Sequence, residues 1–179
     1  MNWSEREVQL ALFWWLQERG RTLIMPNFTP NGWQECDMFS LTTSLYYHEI
    51  EVKVSRADFR SEFLTKRYKH MVLRGDKALS RGQRSPPRTF SFACPYGLLS
   101  ERDVPEYAGL VWVDRKKGHW DCAWPGHIIH VIKKAPVISG AQKIEPAQVF
   151  KISNNLWWRY ADAWRGKAVL EIKNKWGLE

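Results

Sequence analysis

A chain of 179 residues is long enough to bury one substantial core and short for two. With 44% hydrophobic and 26% charged residues, no low-complexity tract and no repeat at solenoid spacing, the disordered, fibrous and repeat classes are excluded. Lysine and arginine number 27 against 19 aspartates and glutamates, and the net charge of +8 points to a polyanionic partner, nucleic acid first.

Ser4 and Glu7 have the form of a capping box, and Val8, Leu10, Ala11, Leu12, Trp14, Trp15 and Leu16 behind them predict a largely buried helix ending at Gly20. Thr22 to Met25 reads as a short strand, and Pro26, Pro30, Asn31 and Gly32 as a loop. Apolar and polar residues then alternate from Cys36 to Leu41 and from Ser44 to Ser55, predicting two strands joined by a turn near Thr42 and Thr43. On the second strand His48, Ile50, Val52 and Val54 share one face, and Glu49, Glu51 and Lys53 the other.

Ser55 and Asp58 open a second helix expected to reach Leu73, with Arg56, Arg60, Lys66, Arg67, Lys69 and His70 at exposed positions. Residues 74–88 hold five cations, Arg74, Lys77, Arg81, Arg84 and Arg88, and one anion, among glycines and prolines, and read as a mobile basic loop. Thr89 to Cys94 and Leu110 to Val113 are further strands, with a hairpin turn at 114–118. A C-terminal helical extension is expected from about Asn154. Strand, helix, strand order predicts a single α/β domain over 1–179, with helices flanking a mixed central sheet.

Hydrolysis of a phosphodiester needs a positioned water, neutralised phosphate oxygens and help for the leaving oxygen. Mg²⁺ or Mn²⁺ held by one or two carboxylates supplies most of this. A lysine beside the metal orients the water or stabilises developing negative charge. Glu51 and Lys53 leave one strand on the same side, and Asp37, on the preceding strand, can sit alongside them.

Asp37 with Glu51-Val52-Lys53 resembles the PD-(D/E)XK nuclease superfamily, in which an Asp on one strand and E-x-K on the next bind metal beside the scissile phosphate. The segment from Glu51 through Lys53, Ser55, Asp58 and Phe59 is similar to the E-x-K-x-S-x-x-D-F stretch of small bacterial and phage nuclease-like proteins, among them a family described as DNA repair proteins. The similarity extends over about residues 35–115, through Lys66 to His70, Phe92 to Leu99, Val104-Pro105 and Ala108 to Val111. It implies a restriction-endonuclease-like core, dependence on Mg²⁺ or Mn²⁺ held by Asp37 and Glu51, Lys53 near the attacked phosphate, and a DNA substrate. Endonuclease action in repair, recombination or phage DNA processing is the expected activity. Glu7 is a further candidate metal or water ligand, since many members place a first-helix carboxylate near the site, and its competing role is the helix cap. Glu49 is a secondary candidate ligand.

Ser55, Arg56, Arg60, Lys66, Arg67, Lys69 and the five cations of the basic loop are the candidate DNA contacts, with helix capping the competing role for Ser55. His119, Cys122, His127 and His130 are zinc-ligand types, but their spacing matches no standard finger and the segment alternates like strands. Trp14, Trp15, Trp157 and Trp158 are expected in the core or an interface rather than stacked on bases. Two other classes compete: a non-catalytic DNA-binding protein of the same fold, partnering a repair, replication or phage machine, and an interaction protein whose basic face meets an acidic protein. Homodimerisation is left open, since no heptad signature is apparent. Cys36, Cys94 and Cys122 lack a C-x-x-C pair, no signal peptide or membrane-length apolar run is evident, and a cytoplasmic location in a bacterial or phage-infected cell is expected.

Overall fold

Ser4 caps the first helix, α1 (Glu5–Glu18), by accepting a hydrogen bond from the Glu7 backbone N–H at 3.2 Å. The protein is described by a computed structural model over residues 3–30, 32–79, 85–115 and 126–176, with 169–176 as backbone alone. Val8, Ala11, Leu12 and Leu16 recur at helical spacing along α1 and are all buried.

Three antiparallel strands follow: β1 (Leu23–Phe28), β2 (Cys36–Leu41) and β3 (Tyr47–Val52). β1 runs beyond the expected Met25 and takes in Pro26, which an edge strand tolerates because one side of its backbone needs no ladder partner. β3 starts three residues later than the alternation suggested. The Thr42 N–H donates to the Tyr46 carbonyl at 2.9 Å and Leu45 takes a φ of 65°, so Ser44 to Tyr46 belong to the turn.

The expected helix from Ser55 to Leu73 is divided into α2 (Arg56–Thr65) and α3 (Arg67–Arg74). Lys66 at the break has φ −109° and ψ 33°. α3 ends at Gly75, whose φ of 88° lets the next N–H, that of Asp76, return to the Met71 carbonyl at 2.9 Å. The chain then crosses to β4 (Thr89–Pro95), parallel to β3, and through a 3-10 turn (Glu101–Asp103) to β5 (Ala108–Arg115), parallel to β4. β6 (His127–Lys133) closes the sheet antiparallel to β5.

The result is an α/β fold with a six-stranded mixed sheet in the order β1-β2-β3-β4-β5-β6. On one face α1 packs on Met38, Ile50, Val52, Ala93, Val111 and Val113. Period-two alternation sends Phe90 and Phe92 to the other face, where they meet Phe59 and Phe63 of α2 and His70 of α3. The sheet is therefore covered on both sides, and the face of β3 that carries its charges lies under α2 and α3.

The chain divides into two compact units, residues 1–143 with the sheet and residues 144–179. The second unit is dominated by α4 (Pro146–Trp176), which begins eight residues before the expected Asn154. Trp157 and Trp158, expected in the core or an interface, are 59% and 56% exposed.

Candidate metal and nucleic-acid site

β2 and β3 bring Asp37, Glu51 and Lys53 together as their alternation predicted. The Val52 N–H donates to Asp37 Oδ2 at 2.7 Å, which fixes the Asp37 carboxylate against β3 beside Glu51. Lys53 Nζ stands 3.5 Å from Glu51 Oε2 and 3.0 Å from Glu62 Oε2. Glu49, Glu51 and Lys53 are all buried.

The expectation that Lys69 and His70 are exposed on the helix is overturned. Lys69 has no exposed surface, and its ammonium donates to Glu51 Oε1 at 2.6 Å and pairs with Glu49 Oε1. Lys66, partly exposed at the helix break, donates to Glu51 Oε2 at 2.7 Å. The other Glu49 oxygen accepts from Trp33 Nε1 at 2.8 Å. His70 links Glu62 Oε1 at 3.3 Å to the Tyr107 hydroxyl at 2.8 Å.

Sequence reasoning missed Glu62 and His70 as members of the site and placed Lys69 on the outer surface as a DNA contact, where the structure buries it against Glu49 and Glu51. Their signal was present: Glu62, Lys66, Lys69 and His70 stand at i, i+4, i+7 and i+8, the spacing of one helix stripe. Because the stripe is polar, apolar periodicity does not mark it as an inward face.

Four carboxylates, Asp37, Glu49, Glu51 and Glu62, thus face three ammoniums and an imidazole. Burial, and then the Glu51 charge, push Asp37 up to about 7, against the Val52 N–H and Lys53. Burial also raises Glu49, with Glu51 adding to it. For Glu51 burial works upward, but Lys69 and Lys66 outweigh it and hold the carboxylate well below its usual range. Burial disfavours the Lys53 cation, yet Glu62 and Glu51 overcome that and raise it above the ordinary lysine value. The two carboxylates thus favour the protonated form of Lys53.

The donor chemistry suits a hard divalent cation. Among the described residues no group of three or more His, Cys, Asp or Glu forms a metal cage, but Mg²⁺ typically takes one or two carboxylates and completes its shell with water and phosphate oxygens. Asp37 and Glu51 are such a pair by residue type and by their place on neighbouring strands.

Glu7 belongs elsewhere. It accepts from Arg115 Nε at 2.7 Å and Nη2 at 2.6 Å, and contacts His127 Nε2 at 3.1 Å. These partners lie on β5 and β6, while α1 covers the sheet face opposite Glu51. The Arg115 hydrogen bonds draw the Glu7 carboxyl down to about 2. The capping role of its N–H and this ion pair account for the residue. His127 is thus partnered with Glu7, and His119 and Cys122 lie outside the described residues.

Ser55 caps α2 by accepting from the Asp58 N–H at 3.1 Å. Arg56 pairs with Asp103 at 3.3 Å and Arg74 with Asp76 at 3.3 Å, whereas Arg60, Arg67 and Lys77 are exposed. Arg88 lies over the Tyr46 ring at 4.6 Å, and its N–H donates to the Tyr47 carbonyl, tying the loop end to β3. Arg81 and Arg84 lie outside the described residues.

No family model and no curated protein matches this chain. Among solved structures it is similar to a protein of unknown function from Silicibacter pomeroyi, at 15% identity and a TM-score of 0.59 over 94% of each chain. At that identity the likeness extends to the fold alone.

Proposed function

We propose that this chain is a metal-dependent deoxyribonuclease that hydrolyses internal phosphodiester bonds. The observation that carries the reading is the Asp37–Glu51–Lys53 constellation, two desolvated carboxylates on neighbouring strands with a lysine held protonated beside them. Asp37 and Glu51 would hold Mg²⁺ or Mn²⁺, which when bound neutralises phosphate charge and acidifies a water. Lys53 stabilises negative charge developing at the phosphate. Lys69, locked between Glu49 and Glu51, orients both carboxylates. Lys66, at the helix break and partly exposed, is the ammonium placed to leave Glu51. Arg60, Arg67 and Lys77 supply exposed cations for the DNA backbone, and DNA repair, recombination or phage DNA processing is the setting consistent with these parts.

One observation favours a second reading, a DNA-binding protein without turnover acting beside a partner protein: both oxygens of Glu51 are already held by ammoniums. Incubation with labelled duplex, branched and single-stranded DNA in Mg²⁺, Mn²⁺ or EDTA separates the two. Cutting in metal, reduced at least about a hundredfold by Asp37→Asn with DNA affinity intact, is the outcome expected of the nuclease. Salt-sensitive binding with no cutting by the unaltered chain in either metal selects the second reading.

A further inference from the structure

Lys53 carries its charge at the end of a flexible stem, so whatever holds the ammonium decides where that charge falls. Three carboxylates stand near it: Glu62 Oε2 at 3.0 Å, Glu51 Oε2 at 3.5 Å and Asp58 Oδ1 at 3.9 Å. Glu51 is a poor anchor. Its Oε2 already accepts from Lys66 at 2.7 Å and its Oε1 from Lys69 at 2.6 Å, and it is one of the two carboxylates assigned to the metal. Asp58 lies beyond hydrogen-bond reach, on a side chain 42% exposed. Glu62 is the nearest of the three, and its side chain is only 2% exposed.

Glu62 is itself held in place. It lies on the buried side of α2 with Phe59, one helical turn before it. Burial and the Glu51 charge work upward on its carboxyl, and the His70 hydrogen bond, Lys53 and Lys66 outweigh them and lower it. An ionised carboxylate can only accept, so the His70 Nε2–H donates to Glu62 Oε1 at 3.3 Å. In the neutral ring Nδ1 is then an acceptor, and the Tyr107 hydroxyl donates to it at 2.8 Å. Phe63, Phe90 and Phe92 surround the imidazole, with ring centroids 4.6, 5.8 and 6.2 Å away. Tyr107, ahead of β5, His70 on α3 and Glu62 on α2 thus form a buried chain that ends in one oriented oxygen at Lys53.

We propose that Glu62, fixed by His70 and Tyr107, is the positioning residue that sets where Lys53 meets the phosphate. This rests on the reading of Lys53 as the charge stabiliser in phosphodiester hydrolysis. The test uses the full chain with labelled duplex DNA in Mn²⁺, under single-turnover conditions at saturating protein, which separate the chemical step from binding. Glu62→Gln, close to the parent in volume, is expected to slow that step at least about tenfold and to leave DNA affinity in EDTA within about twofold. Tyr107→Phe, which removes only the hydroxyl that donates to His70, is expected to slow it about threefold, and it carries the test should Glu62→Gln fail to fold by circular dichroism. In a Lys53→Met background neither change should alter the residual rate by more than about twofold, because no ammonium is left to position. A further readout needs no turnover. In heteronuclear NMR the side-chain ammonium signal of Lys53, identified by its absence from Lys53→Met, is expected to shift in both variants, while that of Lys69, whose partners are Glu49 and Glu51, stays in place.

Rate losses that multiply in the Lys53→Met background, or a Lys53 signal unmoved by Glu62→Gln, would overturn the assignment, since Glu62 would then serve folding alone. Cutting absent from the unaltered chain, with the Lys53 signal moved by both variants, removes the nuclease reading and leaves the anchor. Cutting that Glu62→Gln does not slow removes the anchor alone.

Discussion

Lys69 is enclosed between Glu49 and Glu51 with no exposed surface, and an ammonium in that position is tolerable only because both carboxylates answer it. Lys69→Met would leave two buried carboxylates short of a cation and is expected to cost about 3–5 kcal/mol in urea denaturation. Arg67→Gln, two residues earlier but exposed, is expected to stay within about 0.5 kcal/mol. Equal effects at the two positions would contradict the buried network. Glu7 gives a pH test of its own. Its folded value, near 2, lies below the ordinary 4.5, so the ion pair with Arg115 stabilises above about pH 4.5 and that contribution is lost as pH falls toward 2. Both side chains are partly exposed, which limits the contribution to about 1 kcal/mol or less. Thermal melts of Glu7→Gln should therefore converge on the parent as the solution is acidified through that window. At this scale Asp37, Glu51 and Lys53 were legible because strand alternation assigns faces without knowledge of the rest of the fold. Lys69 and His70 were not, because cations on a helix read as solvated until a neighbouring strand is known to present carboxylates to them.

The strands were legible as elements and their ends less so. β4 falls within one residue of its expected span, since Phe90, Phe92 and Cys94 sit in a run that favours extended backbone. β3 lost its first three expected residues to hydrogen bonds of Thr42, and the long second helix was divided at Lys66, where no proline or glycine announces a break. The α4 start was placed late because Pro146 is a favourable first-turn residue and the residues after it carry no strong apolar stripe. The β4–β5 pairing has its own requirement at Gly109. A Cβ there would lie 2.7 Å from Ser91 Oγ and 2.8 Å from both Ala135 Cβ and the Ala135 backbone nitrogen. Gly109→Ala is expected to destabilise by about 1–3 kcal/mol, measured by the urea midpoint. A neutral substitution would mean that the segment at Ala135 yields without cost.

For the whole molecule, a charge of +8 with exposed cations on α2, α3 and α4 predicts DNA affinity dominated by counterion release. If about six phosphates are engaged, affinity should fall about a thousandfold between roughly 50 and 200 mM salt, as read by fluorescence anisotropy. A flat salt profile would argue against a polyanionic partner altogether. The α/β class was readable at this scale from element order alone, whereas the separation of residues 144–179 as a second unit was not, because the connecting stretch, with Pro136 and Gly140, has the composition of any surface loop. The strand order has a consequence for how the chain is born. Every strand pairs with its immediate predecessor, so the sheet can be laid down in the sequence in which a ribosome delivers it, one strand at a time. The exception is charge: Glu51 emerges 18 residues ahead of Lys69, and a nascent β2–β3 hairpin must keep its carboxylates wetted until that lysine arrives. The sheet face under α2 and α3 is complete only when β4 follows with Phe90 and Phe92, so the helices that cover that face are made before the last of what they cover.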